Sequence, residues 1–207
     1  MQRRVIIVTC IILLAASLTA QNLEKIWDFD SDKTGEIPEG FTNEVGDWKV
    51  ISDSTAPSKP NVLAQLAKNS VSTFNIILIT NTNYKDVELS VKIKAITGKE
   101  DQGGGVVWRA KDTKNYYVAR YNPHEDNYRV YKVEKGRRSQ LQSADFKHSE
   151  GWHILRVTMQ GDRIEGYYGG KKYLDVKDPT FQEAGRIGLW TKADAQTNFD
   201  DLTARGK

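Results

Sequence analysis

Gly103-Gly-Gly-Val-Val-Trp-Arg-Ala110, Lys111-Asp-Thr-Lys114, Asn115-Tyr-Tyr-Val-Ala-Arg-Tyr121, Pro123-His-Glu-Asp126 and Asn127-Tyr-Arg-Val-Tyr-Lys-Val133 alternate β-type with turn-type residues. Read in order they predict a three-stranded antiparallel meander, entered through glycines and turned twice by polar segments. Four-residue loops would set Ala110 opposite Asn115 and Asn122 opposite Asn127. Side chains alternate across a strand, so that register places Val107, Arg109, Tyr116, Val118, Arg120, Arg129 and Tyr131 on one face. Val106, Trp108, Ala110, Tyr117, Ala119, Tyr121, Tyr128 and Val130 share the other, more apolar face, which is the predicted core.

The same texture extends in both directions. Short β-type runs at 23–29, 48–51, 61–66, 74–79, 87–95, 152–160, 163–168, 171–176, 186–191 and 197–203 are separated by Gly, Asp, Asn and Pro clusters. Regular spacing of this kind predicts an all-β sandwich or barrel. No window longer than twelve residues carries a 3.6-residue apolar stripe, so helix is not expected beyond the N-terminus. With 207 residues, no internal repeat and no long linker, a single domain over residues 21–207 is the simplest partition.

Residues 1–20 read differently. A basic start with Arg3 and Arg4, an apolar run from Val5 to Leu18 and small residues up to Ala20 predict a cleaved secretory signal peptide. The expected product is secreted or periplasmic, with no membrane attachment after cleavage. Cys10 and two arginines would leave with the signal, so 28 bases then face 27 acids and no thiol remains. A nearly neutral chain excludes the basic footprint of a nucleic-acid binder, and a thiol-free one excludes disulfides and cysteine chemistry.

Planar donors beside aromatic rings suit a sugar. Arg109, Arg120 and Arg129 offer rigid donor forks, and Tyr116 and Tyr131 offer a ring and a polar tip. The alternative is an ordinary solvated face, which antiparallel sheets commonly have. Lys192 and Asp194, in a polar loop beside Trp190, are candidate rim contacts, whereas Trp190 itself is expected to pack in the core. No Glu-x-Asp-x-x-Glu string, Gly-x-Ser-x-Gly elbow or His-Glu-x-x-His motif occurs. Asp28, Asp30, Asp32 and Glu39 have a superficial EF-hand spacing, but Lys33 stands where the turn glycine belongs and Pro38 precedes the glutamate.

Gly151-Trp-His-Ile-Leu-Arg-Val157 with Gly161-Asp-Arg-Ile-Glu-Gly-Tyr167 resembles the "weigh-and-measure" strand pair of laminin-G and concanavalin A-like lectin/glucanase jelly rolls. Gly185-Arg-Ile-Gly-Leu-Trp-Thr-Lys-Ala-Asp194 with Phe199-Asp-Asp-Leu202 resembles the closing strands of the 3-keto-disaccharide hydrolase family, described as glycoside-hydrolase-family-16-like. Gly105 to Asp112, Asn115-Tyr-Tyr117, Trp27-Asp-Phe-Asp30 and Trp48 fit the same group. The resemblance implies a two-sheet antiparallel jelly-roll β-sandwich whose concave sheet holds a glycan or sugar-containing polymer. It also implies a calcium ion at the sandwich edge, with Asp30 and Asp200 or Asp201 as ligands; strand capping or ion pairing by these acids is the competing reading. Three functions stay open: extracytoplasmic carbohydrate binding, hydrolysis of 3-keto-disaccharides or glycosides, and protein-binding adhesion.

Overall fold

A computed structural model describes residues 24–147 and 149–206; the expected signal peptide at 1–20 lies outside them. The described residues contain strands and turns with no helix. Fifteen strands form two antiparallel sheets. They are β1 (Lys25–Trp27), β2 (Phe41–Val45), β3 (Trp48–Ser52), β4 (Asn61–Gln65), β5 (Phe74–Ile79), β6 (Val87–Thr97), β7 (Gly104–Asp112) and β8 (Asn115–Asn122). After them come β9 (Asn127–Glu134), β10 (Arg137–Asp145), β11 (His153–Gln160), β12 (Arg163–Tyr168), β13 (Lys171–Lys177), β14 (Arg186–Lys192) and β15 (Gln196–Gly206).

One sheet runs β13-β12-β11-β6-β15-β4-β3, with β1 also paired to β15; the other runs β10-β9-β8-β7-β14-β5-β2. The expected meander is β7-β8-β9, extended by β10. Neither β2 nor β10 is legible as an apolar run, and they form the two edges of the seven-stranded sheet. Edge strands bury less and are commonly polar, which removes the alternation that marks a strand in sequence.

The core lies between the sheets. From one side come Leu89, Val91, Ile93, Leu155, Val157 and Phe199, and from the other Val106, Trp108, Tyr117, Tyr121, Tyr128, Val130, Ile187 and Leu189. β6 shows the governing period directly, alternating buried and half-buried residues along Val87 to Lys94. Each large apolar side chain so buried contributes about 2 kcal/mol.

The predicted register holds from Gly104, opposite Tyr121, to Trp108, opposite Tyr117, and again where Asn122 opposes Asn127. It fails at the β7–β8 turn. Asp112, not Ala110, opposes Asn115, and a bulge between Trp108 and Asp112 absorbs the extra residues.

Candidate functional site

The face of the seven-stranded sheet turned away from the core is not an ordinary solvated surface. Ile76, Leu78, Val107, Ala110, Tyr116, Val118, Tyr131, Val133 and Trp190 form a second buried apolar cluster there, with Val45 and Phe74 packed alongside. Trp190 packs in a buried apolar cluster as expected, though in this second one and not in the main core that holds its neighbours Ile187 and Leu189. Its Nε1–H donates to the Tyr116 hydroxyl at 3.1 Å, and its ring lies 5.5 Å from Phe74.

Arg138, on the edge strand β10, covers these rings. It opposes Val133 in the β9–β10 ladder and therefore shares the outward face with Tyr131. Its guanidinium sits 4.4 Å from the Tyr131 ring centroid, 5.2 Å from Phe74 and 5.8 Å from Trp190. Nη1 is enclosed and has no hydrogen-bond partner among the described residues. Burial pushes this arginine below its usual pKa, yet a guanidinium stays charged in any physiological setting.

A polar ladder flanks the rings. Buried Arg120 donates from Nη1 to Asn127 Oδ1 at 2.7 Å and from Nη2 to Glu125 Oε2 at 2.9 Å and the Tyr131 hydroxyl at 3.3 Å; its Nε is enclosed and unpartnered. Arg129 donates to the same Glu125 oxygen at 3.0 Å and to Ser143 Oγ at 3.0 Å. Burial alone would raise the Glu125 pKa, but Arg120, Asn127 and Arg129 outweigh it and bring it down to about 2. On the other flank Asp101 accepts from Lys192 Nζ at 2.9 Å and from Asn122 Nδ2 at 2.8 Å. Asp194 does not face the rings. Its carboxylate accepts the backbone N–H groups of Lys99, Glu100 and Asp101, which outweigh the effect of burial and lower its pKa.

The structure therefore brings Tyr116, Arg120, Arg129, Tyr131 and Lys192 onto or beside one face and separates Arg109 from them. With φ at +47° inside the bulge, Arg109 turns off the face, and Ala110, expected in the core, takes its place in the outward cluster. The Arg109 guanidinium is 1% exposed and donates to the carbonyls of Lys85 at 2.7 Å, Gly161 at 2.8 Å and Phe181, with Asp86 at 3.4 Å. A four-residue turn cannot be told from a two-residue turn plus bulge by residue type, which is why this arginine was misplaced.

Arg138, Asp101 and Glu125 are the residues that sequence reasoning missed. For Arg138 one signal existed: Lys135-Gly136, with φ of +52° and +81°, is a two-residue hairpin turn that continues the meander into a fourth strand.

At the chain ends, β1 pairs with β15, so the two termini of the described domain do meet. Asp30 Oδ1 accepts the Asn61 N–H at 3.1 Å, Asp200 accepts from Ser58 N at 2.9 Å and Oγ at 2.8 Å, and Asp201 pairs with Lys92. Among the described residues no three His, Cys, Asp or Glu side chains cluster as metal ligands.

Comparison with known proteins adds relatives to this geometry. The chain is 25% identical over 194 residues to a levanase of Bacillus subtilis, a match covering 90% of this chain and about a quarter of the levanase's length. The carbohydrate-binding module CBM66 from Bacillus subtilis shares the fold with a TM-score of 0.69 at 22% identity, over 81% of this chain and 96% of the module. A GH43 protein of Bacillus licheniformis shares it at 0.53 and 15% identity, over 82% of this chain and 39% of that protein. Residues 24–205 match the 3-keto-alpha-glucoside-1,2-lyase-like domain, and the chain belongs to that family.

Proposed function

We propose that this domain is an extracytoplasmic carbohydrate-binding module that holds a glycan against the outward face of its seven-stranded sheet. The observation that carries this reading is the arginine-capped aromatic cluster of Arg138, Tyr131, Phe74 and Trp190, flanked by the Arg120–Glu125–Arg129 ladder. Partly exposed Phe74 and Arg138 are the parts of this cluster that a sugar would touch, an apolar ring and a guanidinium fork, with buried Tyr131 and Trp190 packed behind them. Support also comes from the likeness to a carbohydrate-binding module and a levanase, and, for the location, from the leader-like residues 1–20. Glu125, held low by Arg120, Asn127 and Arg129, is a weak base and does not suit general acid–base catalysis itself.

The family name favours a second reading, cleavage of 3-keto glucosides. Both are tested together by a glycan array that includes levan and other fructans, run beside incubation with 3-keto glucosides. Binding predicts array hits weakened tenfold or more by Arg120→Ala or Tyr131→Ala, with no product released. Product release lost on mutating a particular acid would establish the enzyme instead. No array hit, together with a stable protein complex in pull-downs, would establish an adhesive module.

A further inference from the structure

The charges around the ring cluster do not balance. Arg120 and Arg129 share Glu125, and Lys192 holds Asp101. Among the described residues Arg138 is left without a carboxylate partner, although it is half-buried and lies against three rings. The field of Asp101 reaches it, but that group is already bound to Lys192 and Asn122. The Arg120 charge acts on it in the opposite sense. Ring faces compensate a desolvated cation only in part.

We propose that the glycan taken by this face is anionic, its carboxylate or sulfate group supplying the missing counter-charge to Arg138, with the sugar ring lying beside partly exposed Phe74. This rests on the carbohydrate-binding reading above and adds the class of sugar. A neutral hydroxyl would accept a hydrogen bond from the guanidinium but would leave the charge unbalanced. A carboxylate or sulfate accepts from the guanidinium donors other than the enclosed Nη1 through a charge-assisted hydrogen bond, which is favoured further where water is excluded.

The test is titration calorimetry with two matched pairs of oligosaccharides: oligogalacturonides against their carboxyl-reduced forms, and sulfated galactan fragments against their desulfated forms. The charged member of at least one pair is expected to bind tenfold or more tighter than its neutral counterpart, with the ratio shrinking as salt is raised. Which pair responds identifies the anion. Arg138→Gln is expected to bring that ratio close to one, and Arg138→Lys to retain part of it, both with unchanged near-ultraviolet circular dichroism. Equal affinity within both pairs, or tight binding of levan with neither charged oligosaccharide preferred, would overturn the anionic class and leave sugar binding standing. A preference undiminished in folded Arg138→Gln would remove Arg138 from the role. Absence of binding by every oligosaccharide, levan included, would overturn the carbohydrate reading itself.

Discussion

Arg109, turned onto backbone carbonyls, and Arg138, laid over three rings, show how little residue type says without its surroundings. Arg109 directs its donors to three backbone carbonyls, those of Lys85, Phe181 and Gly161. Arg109→Ala should therefore cost about 3 kcal/mol, because it leaves the buried Phe181 carbonyl unpaired, at about 1–3 kcal/mol, and removes the packing of a side chain that is itself buried. Arg109→Lys should recover little of it, since an ammonium cannot span three separate acceptors. Urea denaturation checks this, and a loss below about 1 kcal/mol would contradict the clamp. Asp178 supplies a second residue-scale expectation. It accepts from Tyr117 at 2.6 Å, Thr180 N at 2.9 Å and Lys132 at 2.9 Å, and these donors outweigh burial to bring its pKa to about 2. A carboxylate depressed in the folded state stabilises fully above its unfolded pKa, near 4, and loses that contribution as pH falls toward about 2. After discounting for solvent screening, about 1–2 kcal/mol should vanish across that window, and Asp178→Asn should flatten the pH dependence of unfolding there. Asp200, buried and already bound by Ser58, leads us to expect an unchanged melting temperature on adding a chelator. A fall of several degrees would instead establish calcium at the chain ends.

At the scale of elements, legibility followed burial. β6, β8, β9, β11 and β14 bury one or both faces and carry their period openly in the sequence. β10 reads Arg-Arg-Ser-Gln-Leu-Gln-Ser-Ala-Asp, with one large apolar residue, because an edge strand of a sandwich needs few. That omission hid Arg138 and with it the cap of the candidate site, while Tyr116, Arg120 and Tyr131 on inner strands were placed correctly. Long-range neighbours such as Asp101 and Lys192 meet only through folding and leave no local signature. The β9–β10 hairpin itself can be tested. Gly136→Val forces a β-branched residue into φ near +81°, where such residues are strained by about 1–3 kcal/mol. It should lower the melting temperature modestly while reducing glycan affinity tenfold or more, because it displaces Arg138 and leaves the main core untouched. Melting curves and glycan titration on one preparation separate the two effects, and unchanged affinity would detach β10 from the site.

At the scale of the whole molecule, the order in which strands are made differs from the order in which they pair. β14 lies between β7 and β5, and β15 lies between β6 and β4. Both sheets are therefore split until the last two strands insert, and β4, β5, β6 and β7 wait with an open edge. During synthesis the domain has no complete sheet to fold until residue 206 has left the ribosome, and the interval before that is when exposed edges invite wrong pairing. Contacts so distant in sequence also make folding slow once the chain is whole. A chain ending at residue 195 should consequently aggregate instead of surviving as a smaller sandwich, and a chaperone that shields strand edges should raise the yield of the full-length protein far more than it raises the yield of a helical bundle of equal size.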